Sequence, residues 1–420
     1  MSEHDPRNPS HPRPETMMLG HGYDPFLSEG SVKPPVFLTS TFVFRRAEDG
    51  KRFFELAYGL KEKDPGEVPG LIYSRINNPD LEILENRLAV WERAEKALVF
   101  ASGMAAISST VLAHLVPGEQ VIATTPVYGG THYFMSKMLP RWGMGVHWIH
   151  AGSNFCDELE ASLAASEGKA RLVYLETPAN PVNLMTDLKR CVEICARYGT
   201  PERRVLLVVD NTFLGPVFQQ PLLMGVDISL YSATKFIGGH SDVVAGAVLG
   251  REELVKPVAE MRNILGNMAS PFDCWLLMRS LETVGIRMRQ QQTNARAVVR
   301  MLKSHEAVRA VYYPGELDEE QDRIWREQCS GSGSLIAFDV VGGEAEAFRV
   351  LNAVKHAKLA VSLGGTESLI EHPATMTHCD MSPEDMDVAG ITPSMIRLSV
   401  GIEHVDDLVF DLSQALDSLL

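Results

Sequence analysis

The sequence predicts an α/β protein, a large parallel sheet covered by helices on both faces and followed by a smaller α+β unit. Three observations lead there. Between residues 97 and 209, short apolar runs alternate with segments of helical period, the pattern of parallel strands joined by crossover helices. Each run ends in a polar or glycine-bearing turn, where such sheets place their ligands. After residue 270 the alternation gives way to one long helical stretch and then to widely spaced strands.

The first sixteen residues are rich in Pro, His, Asn and charge, without the apolar core of a secretory signal, and read as a disordered tail. Residues 20–44 are turn-rich, with Pro34-Pro35 and a β-like run at 36–42. They form an arm with little core of its own, expected to lie on another subunit. Residues 45–70 are highly charged. A short amphipathic piece there (Phe53, Phe54, Leu56) precedes the loop Lys61-Glu62-Lys63-Asp64-Pro65-Gly66.

Leu81, Leu84, Leu88 and Trp91 recur at helical spacing. Strands are then expected at 97–100, 121–124, 145–149, 172–175, 205–209 and 226–231. The expected helices are 103–116, 128–139, 157–165 and 187–198, the last capped by Thr186 or Asp187. Residues 271–305 read as one long helix or two in line. Strands at 310–313, 335–341, 359–363 and 395–400, with helices at 345–354 and 405–419, complete the chain. The expected division is 1–70 for tail and arm, 71–270 for the α/β domain and 271–420 for the α+β domain.

The chain has 420 residues, 45% of them hydrophobic, enough for a sizeable core. A formal net charge of -15 argues against nucleic-acid binding, which needs phosphate-neutralising basic surface. Six cysteines show no paired CxxC spacing. Cys191 and Cys195 are expected to line one helix face, and no metal site is expected. No 18-residue apolar run is present, so no membrane span is expected and the reading is a cytoplasmic protein.

The run 226–231 delivers Lys235 into the turn Ser232-Ala233-Thr234-Lys235-Phe236-Ile237-Gly238-Gly239. A lysine at the mouth of a buried sheet is partly desolvated, which favours the neutral, nucleophilic amine that imine chemistry requires. Ser232 and Thr234, two apart in an extended segment, point the same way and suit one phosphate. Ser102-Gly103-Met104 opens a helix whose free N–H groups can receive a phosphate. Asp210, after the strand 205–209, can pair with a pyridinium nitrogen. Asn180, in the rigid turn Thr177-Pro178-Ala179-Asn180-Pro181, offers an amide. Each has a plainer reading alone: a surface lysine, a capped helix, a turn cap. The dinucleotide and P-loop glycine motifs are absent. Together the set reads as a pyridoxal 5'-phosphate (PLP) site.

Tyr73-Ser74-Arg75-Ile76-Asn77-Asn78-Pro79, Ala101-Ser102-Gly103-Met104, Val209-Asp210-Asn211-Thr212, Ser232-Ala233-Thr234-Lys235 and Ile396-Arg397-Leu398-Ser399-Val400-Gly401 resemble the Cys/Met-metabolism PLP enzymes. That family includes cystathionine γ-synthase, cystathionine γ-lyase and methionine γ-lyase. The resemblance is colinear from Gly20 to Leu420. It implies fold type I, aspartate-aminotransferase-like, in a homotetramer of catalytic dimers. It implies that Lys235 holds PLP as an imine and shuttles protons, Asp210 pairs with the ring nitrogen and Asn180 lies near the ring hydroxyl. Gly103, Met104, Ser232 and Thr234 would bind the phosphate, joined by Tyr73 and Arg75 from a neighbouring subunit. Tyr128 would stack on the ring and assist the leaving group, and Arg397 with Ser362 would hold the substrate carboxylate.

The implied reaction is γ-elimination on an L-amino acid through a vinylglycine-type intermediate, or the alternative, γ-replacement by a synthase. Val361, where enzymes acting on cystathionine tend to carry glutamate, resembles methionine γ-lyase. Gly130, where methionine γ-lyases typically carry cysteine, departs from it and is expected to widen the pocket. The expected substrate is longer or more polar than methionine. The candidates are canavanine, whose guanidinium could meet acids between Glu48 and Glu67 and whose products would be homoserine and hydroxyguanidine, and methionine. A non-catalytic binding module is disfavoured because Lys235, Asp210, Tyr128 and Arg397 occur together. His378 and Cys379 read as loop residues.

Overall fold

The computed structural model describes residues 12–200, 203–379 and 381–420. Most of the expected tail, residues 1–11, therefore lies outside the described residues. Its end forms the helical turn Pro14–Met17, held to the long helix Val284–Ser304 by an ion pair between Glu15 and Arg289.

Seven strands form the main sheet: β1 (Lys96–Phe100), β2 (Gln120–Thr125), β3 (Gly145–His150), β4 (Ala170–Glu176), β5 (Leu206–Asp210), β6 (Ile228–Tyr231) and β7 (Gly246–Gly250). Their order is β1-β7-β6-β5-β4-β2-β3. The run from β3 to β6 is parallel, but β7 lies antiparallel to both its neighbours, so the sheet is mixed where a wholly parallel one was expected. The sequence of β7, Gly246-Ala247-Val248-Leu249-Gly250, is too short and glycine-bounded to announce a strand. Its glycine has a reason in the packing: a Cβ at Gly246 would stand 2.2 Å from the carbonyl oxygen of Ser102. The helix that opens the site thus presses directly on β7. Apolar residues of β1, β2, β4, β5 and β6 meet that helix, Gly103–His114, in one core, while helices Phe155–Ala165 and Leu188–Tyr198 cover the opposite face. Asp187 caps the latter by accepting from the Arg190 N–H at 3.1 Å.

The second sheet contains β8 (Val308–Tyr312), β9 (Leu335–Val340), β10 (Lys358–Leu359), β11 (Leu369–Glu371) and β12 (Met395–Ser399), in the order β10-β11-β12-β9-β8. The helical stretch at 271–305 resolves into two helices, Pro271–Leu281 and Val284–Ser304. Helices Glu252–Leu265 and Glu319–Gln328 and strand β11 are additions to the expected elements.

Three expected elements differ. The strand at 359–363 is present only at its start, in β10 (Lys358–Leu359), and the expected run is broken again at Ser362, whose φ of 89 lies outside the strand region. The run at 36–42 makes no ladder beyond a single bridge from Thr41 to Tyr73. Side chains bind its backbone instead: the Phe37 N–H donates to Asp80 Oδ2 at 2.7 Å, and Asn78 Nδ2 donates to the Phe37 carbonyl at 2.9 Å. The helix expected at 128–139 is α-helical only over Gly129–Tyr133, then passes through a π-helical turn, Phe134–Met138, and a 3-10 turn, Leu139–Trp142. Pro140, lacking an N–H, is consistent with the change of winding.

Candidate active site

A cavity of about 490 Å³ opens beyond the carboxyl ends of the central strands. It is lined by Gly103, Met104, Tyr128, Asn180, Asp210, Ser232, Thr234, Lys235, Ser362 and Arg397, ten of the twelve site residues expected from the sequence. Tyr73 and Arg75 are not among its walls. Arg75 donates to the Asn263 carbonyl and lies over the Tyr73 ring at 6.0 Å, on a part of the surface where Tyr73 is 41% exposed.

Lys235 follows β6 in a turn closed by the N–H of Gly239 donating to its carbonyl at 2.7 Å. Its Nζ donates to Ser362 Oγ at 2.8 Å. Burial, and then the nearby positive charge of Arg397, push its pKa down from 10.5 to about 8. A fraction of the amine is therefore neutral at neutral pH. Ser232 receives its place from the Thr212 hydroxyl, which accepts its N–H at 2.9 Å. The Thr234 hydroxyl donates to the Ala245 carbonyl at 3.1 Å and accepts the Ala245 N–H at 3.0 Å, tying the lysine turn to the segment entering β7.

Asp210 ends β5 and is buried. Its Oδ1 accepts the Thr212 N–H at 3.0 Å and hydroxyl at 2.6 Å, and its Oδ2 accepts from the Tyr174 hydroxyl at 3.3 Å. Burial raises its pKa, against the pull of the Thr212 and Tyr174 bonds and of Lys235. Across the cavity, Arg397 on β12 stands in register opposite Glu371 on β11. Their side chains are 4% and 1% exposed and form an ion pair at 2.9 Å. Arg397 also donates to Asn180 Oδ1 at 3.1 Å and to the Ser362 carbonyl at 2.9 Å, and its Nε has no hydrogen-bond partner among the described residues. A guanidinium this well braced, with a donor to spare, suits a carboxylate.

Tyr128 is half exposed, and its ring lies against residue 130. A Cβ at Gly130 would stand 2.6 Å from Tyr128 Cε1 and 3.1 Å from Met104 Sδ. The glycine therefore makes room for the tyrosine ring, and the space it leaves is filled where an open, wider pocket was expected. Val361 is 54% exposed at the cavity wall. His378 and Cys379 sit in the turn after Pro373–Thr375 and do not line the cavity, whereas their neighbour Thr377 does. The 45–70 segment borders a separate, smaller cavity with Arg262 and Asn263. Glu67 there is hydrogen-bonded to Arg52, which holds its carboxyl down to about 2.

Two carboxyl groups of the site had no assigned role in the sequence. Glu371 gives no local signal, since only the strand register sets it opposite Arg397. Glu176 could have been suspected as the last residue of a strand whose neighbours carry site residues. Burial and then the Asp210 charge push its pKa up to about 8. Among the described residues, no group of three or more His, Cys, Asp or Glu side chains is gathered as metal ligands would be. Among them, too, no helix is long and apolar enough to cross a membrane. Cys191 and Cys195 are buried on one helix face as expected.

These residues fit PLP. A Cβ at Gly103 would meet Ser232 Cβ at 2.9 Å and Oγ at 3.0 Å, so the glycine keeps a cradle open between a helix start and a serine. A buried carboxyl at Asp210 and a partly neutral amine at Lys235 stand at the same cavity. Capture of PLP by the cofactor-free protein is expected to accelerate with rising pH and level off above about 8, because only the neutral amine attacks the aldehyde. The check is the rate of imine absorbance growth against pH. A midpoint near 10.5 would mean that the amine is not desolvated.

Comparison with known proteins agrees. Residues 15–417 match the Cys/Met metabolism PLP-dependent enzyme family. An L-methionine gamma-lyase of Fusobacterium nucleatum is 39% identical, the match covering 93% of this chain and 94% of that protein. Cystathionine gamma-lyase of Sus scrofa is also 39% identical, over 92% of this chain and 89% of that protein. Among solved structures, cystathionine gamma synthase from Xanthomonas oryzae pv. oryzae, in complex with aminoacrylate and cysteine, superposes with a TM-score of 0.86 at 35% identity. That match covers 97% of this chain and 98% of that one.

Proposed function

The chain belongs to the Cys/Met metabolism family of PLP-dependent enzymes, which carry out γ-elimination or γ-replacement, and from that premise we propose that it is a γ-lyase acting on an L-amino acid with an apolar thioether tail. The observation that carries the substrate reading is the cavity wall. Met104, Ile107, Phe213, Val244, Val361 and Leu363 supply apolar surface, while both wall carboxyls, Glu176 and Asp210, are engaged in hydrogen bonds. A methylthio group is at home there. A guanidinium finds no uncommitted carboxylate in this wall, so canavanine stands second to methionine and depends on acids brought by another copy of the chain.

PLP, when bound, supplies an electron sink that acidifies first Cα–H and then Cβ–H of the amino acid. The residues divide the remaining work. Lys235 anchors the cofactor and moves the protons between carbons. Asp210 would hold a proton on the ring nitrogen, and Asn180 would offer its amide to the ring hydroxyl. Gly103, Met104, Ser232 and Thr234 hold the phosphate. Arg397, with Ser362, clamps the substrate carboxylate and so orients Cα–H toward the lysine. Tyr128 would cover the cofactor ring and serve the departing sulfur as acid or base. Tyr73 and Arg75, outside their own cavity, serve the phosphate of a second copy within a homotetramer of catalytic dimers. Exposed apolar side chains along the arm, such as Phe26 (88%) and Val43 (95%), give such a contact its surface. Six unpaired cysteines suit a reducing, cytoplasmic setting.

The test gives the PLP-loaded enzyme methionine and canavanine together and identifies products by mass spectrometry. 2-Oxobutyrate, methanethiol and ammonia should dominate. Homoserine and hydroxyguanidine as main products would move the assignment to canavanine. Neither set, with a thioether formed from an activated homoserine ester and a thiol, would make the protein a synthase.

A further inference from the structure

We propose that Glu176 is a positioning residue, whose carboxyl group fixes Tyr128 and Asn180 against the cofactor by accepting the backbone N–H of each. This rests on the reading that both side chains face bound PLP. Glu176 is the last residue of β4 and pairs in register with Asp210 of β5, so the two side chains leave the sheet on the same face. Its own N–H donates to the Thr124 hydroxyl of β2 at 3.1 Å, which anchors it on the other side. The side chain, 5% exposed, then divides its oxygens: Oε2 accepts the Tyr128 N–H at 2.9 Å and Oε1 the Asn180 N–H at 3.2 Å.

Those two amides belong to different loops. Tyr128 opens the helix after β2, and Asn180 lies in the turn after β4. Among the described residues neither amide makes a backbone–backbone hydrogen bond, so one carboxyl group sets the height of both loops over the cavity floor. The consequence reaches two side chains of different duty. Tyr128 lines the cavity with its ring against Gly130, and Asn180 accepts from Arg397 at 3.1 Å. Glu176 thereby links the loop that serves the leaving group to the guanidinium that serves the carboxylate, without itself having to touch the substrate.

Glu176→Gln is the decisive variant, because the amide keeps the shape but has one oxygen to accept with and a nitrogen that cannot. In the cofactor-loaded variant, kcat should fall roughly 10- to 100-fold, the scale of a small misplacement of reacting groups, with KM changed far less. Backbone hydrogen exchange, resolved by fragmentation mass spectrometry, should quicken at Tyr128 or Asn180 while the Lys235 turn keeps its protection and the lysine-bound cofactor its absorbance. Unchanged exchange at both amides, or unchanged kcat, would overturn the proposal. So would a general loss of protection with loss of cofactor, which marks a residue serving only the fold. The wild-type protein gives a second measurement should the variant not fold: both amides must be protected although they lie in loops, and fast exchange there overturns the proposal outright. A wild type that takes up no PLP would instead refute the reading beneath it.

Discussion

Replacing Lys235 by alanine is expected to lower turnover roughly 10^4-fold, because the residue is both the covalent anchor and the proton carrier. The variant should remain folded. Nζ makes one hydrogen bond, to Ser362 Oγ, and its desolvation works against the native state whenever the amine is charged. In the cofactor-free protein the folded lysine gives up its proton near pH 8 and the unfolded one near 10.5. The unfolded chain binds more protons between those values, so stability rises with pH across that window, by about 3 kcal/mol for this group. Lys235→Ala should lack the rise and be the more stable protein below pH 8. Two measurements decide the matter: chemical denaturation of both cofactor-free proteins at pH 7 and pH 10, and turnover with added PLP. A variant that retains more than about a hundredth of wild-type activity would remove Lys235 from the mechanism.

Arg397→Ala is expected to reduce kcat/KM roughly 10^2- to 10^3-fold, the loss that follows when a buried charged partner is truncated. It should also destabilise the fold by about 3–5 kcal/mol, because Glu371, 1% exposed, would be left as a buried charge without its partner. The double variant with Glu371→Gln separates the two effects. Its stability should recover in part, since no uncompensated carboxylate remains, while its activity should not recover, since the substrate carboxylate still lacks a clamp. Arg397→Lys should fall between, as an ammonium keeps the charge but loses the planar fork. Denaturation midpoints and steady-state kinetics for the four proteins check this. Recovery of activity in the double variant would show that Arg397 acts only by neutralising Glu371.

The large sheet was legible because its strands are short apolar runs and their crossover helices carry helical periodicity, both local properties of the chain. The same locality exposed Lys235, Asp210 and the Ser102-Gly103 turn: each lies at the end of a strand or within a few residues past it, and strand ends are where such sheets gather ligands. The antiparallel β7 was not legible, since its five residues gain their place from a close approach to Ser102 and carry no pattern of their own. The segment 359–363 looked like a strand from its composition, yet its backbone turns left-handed at Ser362 and there lines the cavity.

The sequence by itself determined the alternation of elements, the family and the set of groups offered at the strand ends, because periodicity and turn chemistry act over a few residues. Only the tertiary structure decided how those groups are braced. Glu371 meets Arg397 through the register of β11 on β12. Glu176 reaches two loops that start from different strands. Tyr128 takes the space that a side chain at residue 130 would need. Each of these is a contact between segments whose approach depends on how the whole chain closes, and no local pattern records it.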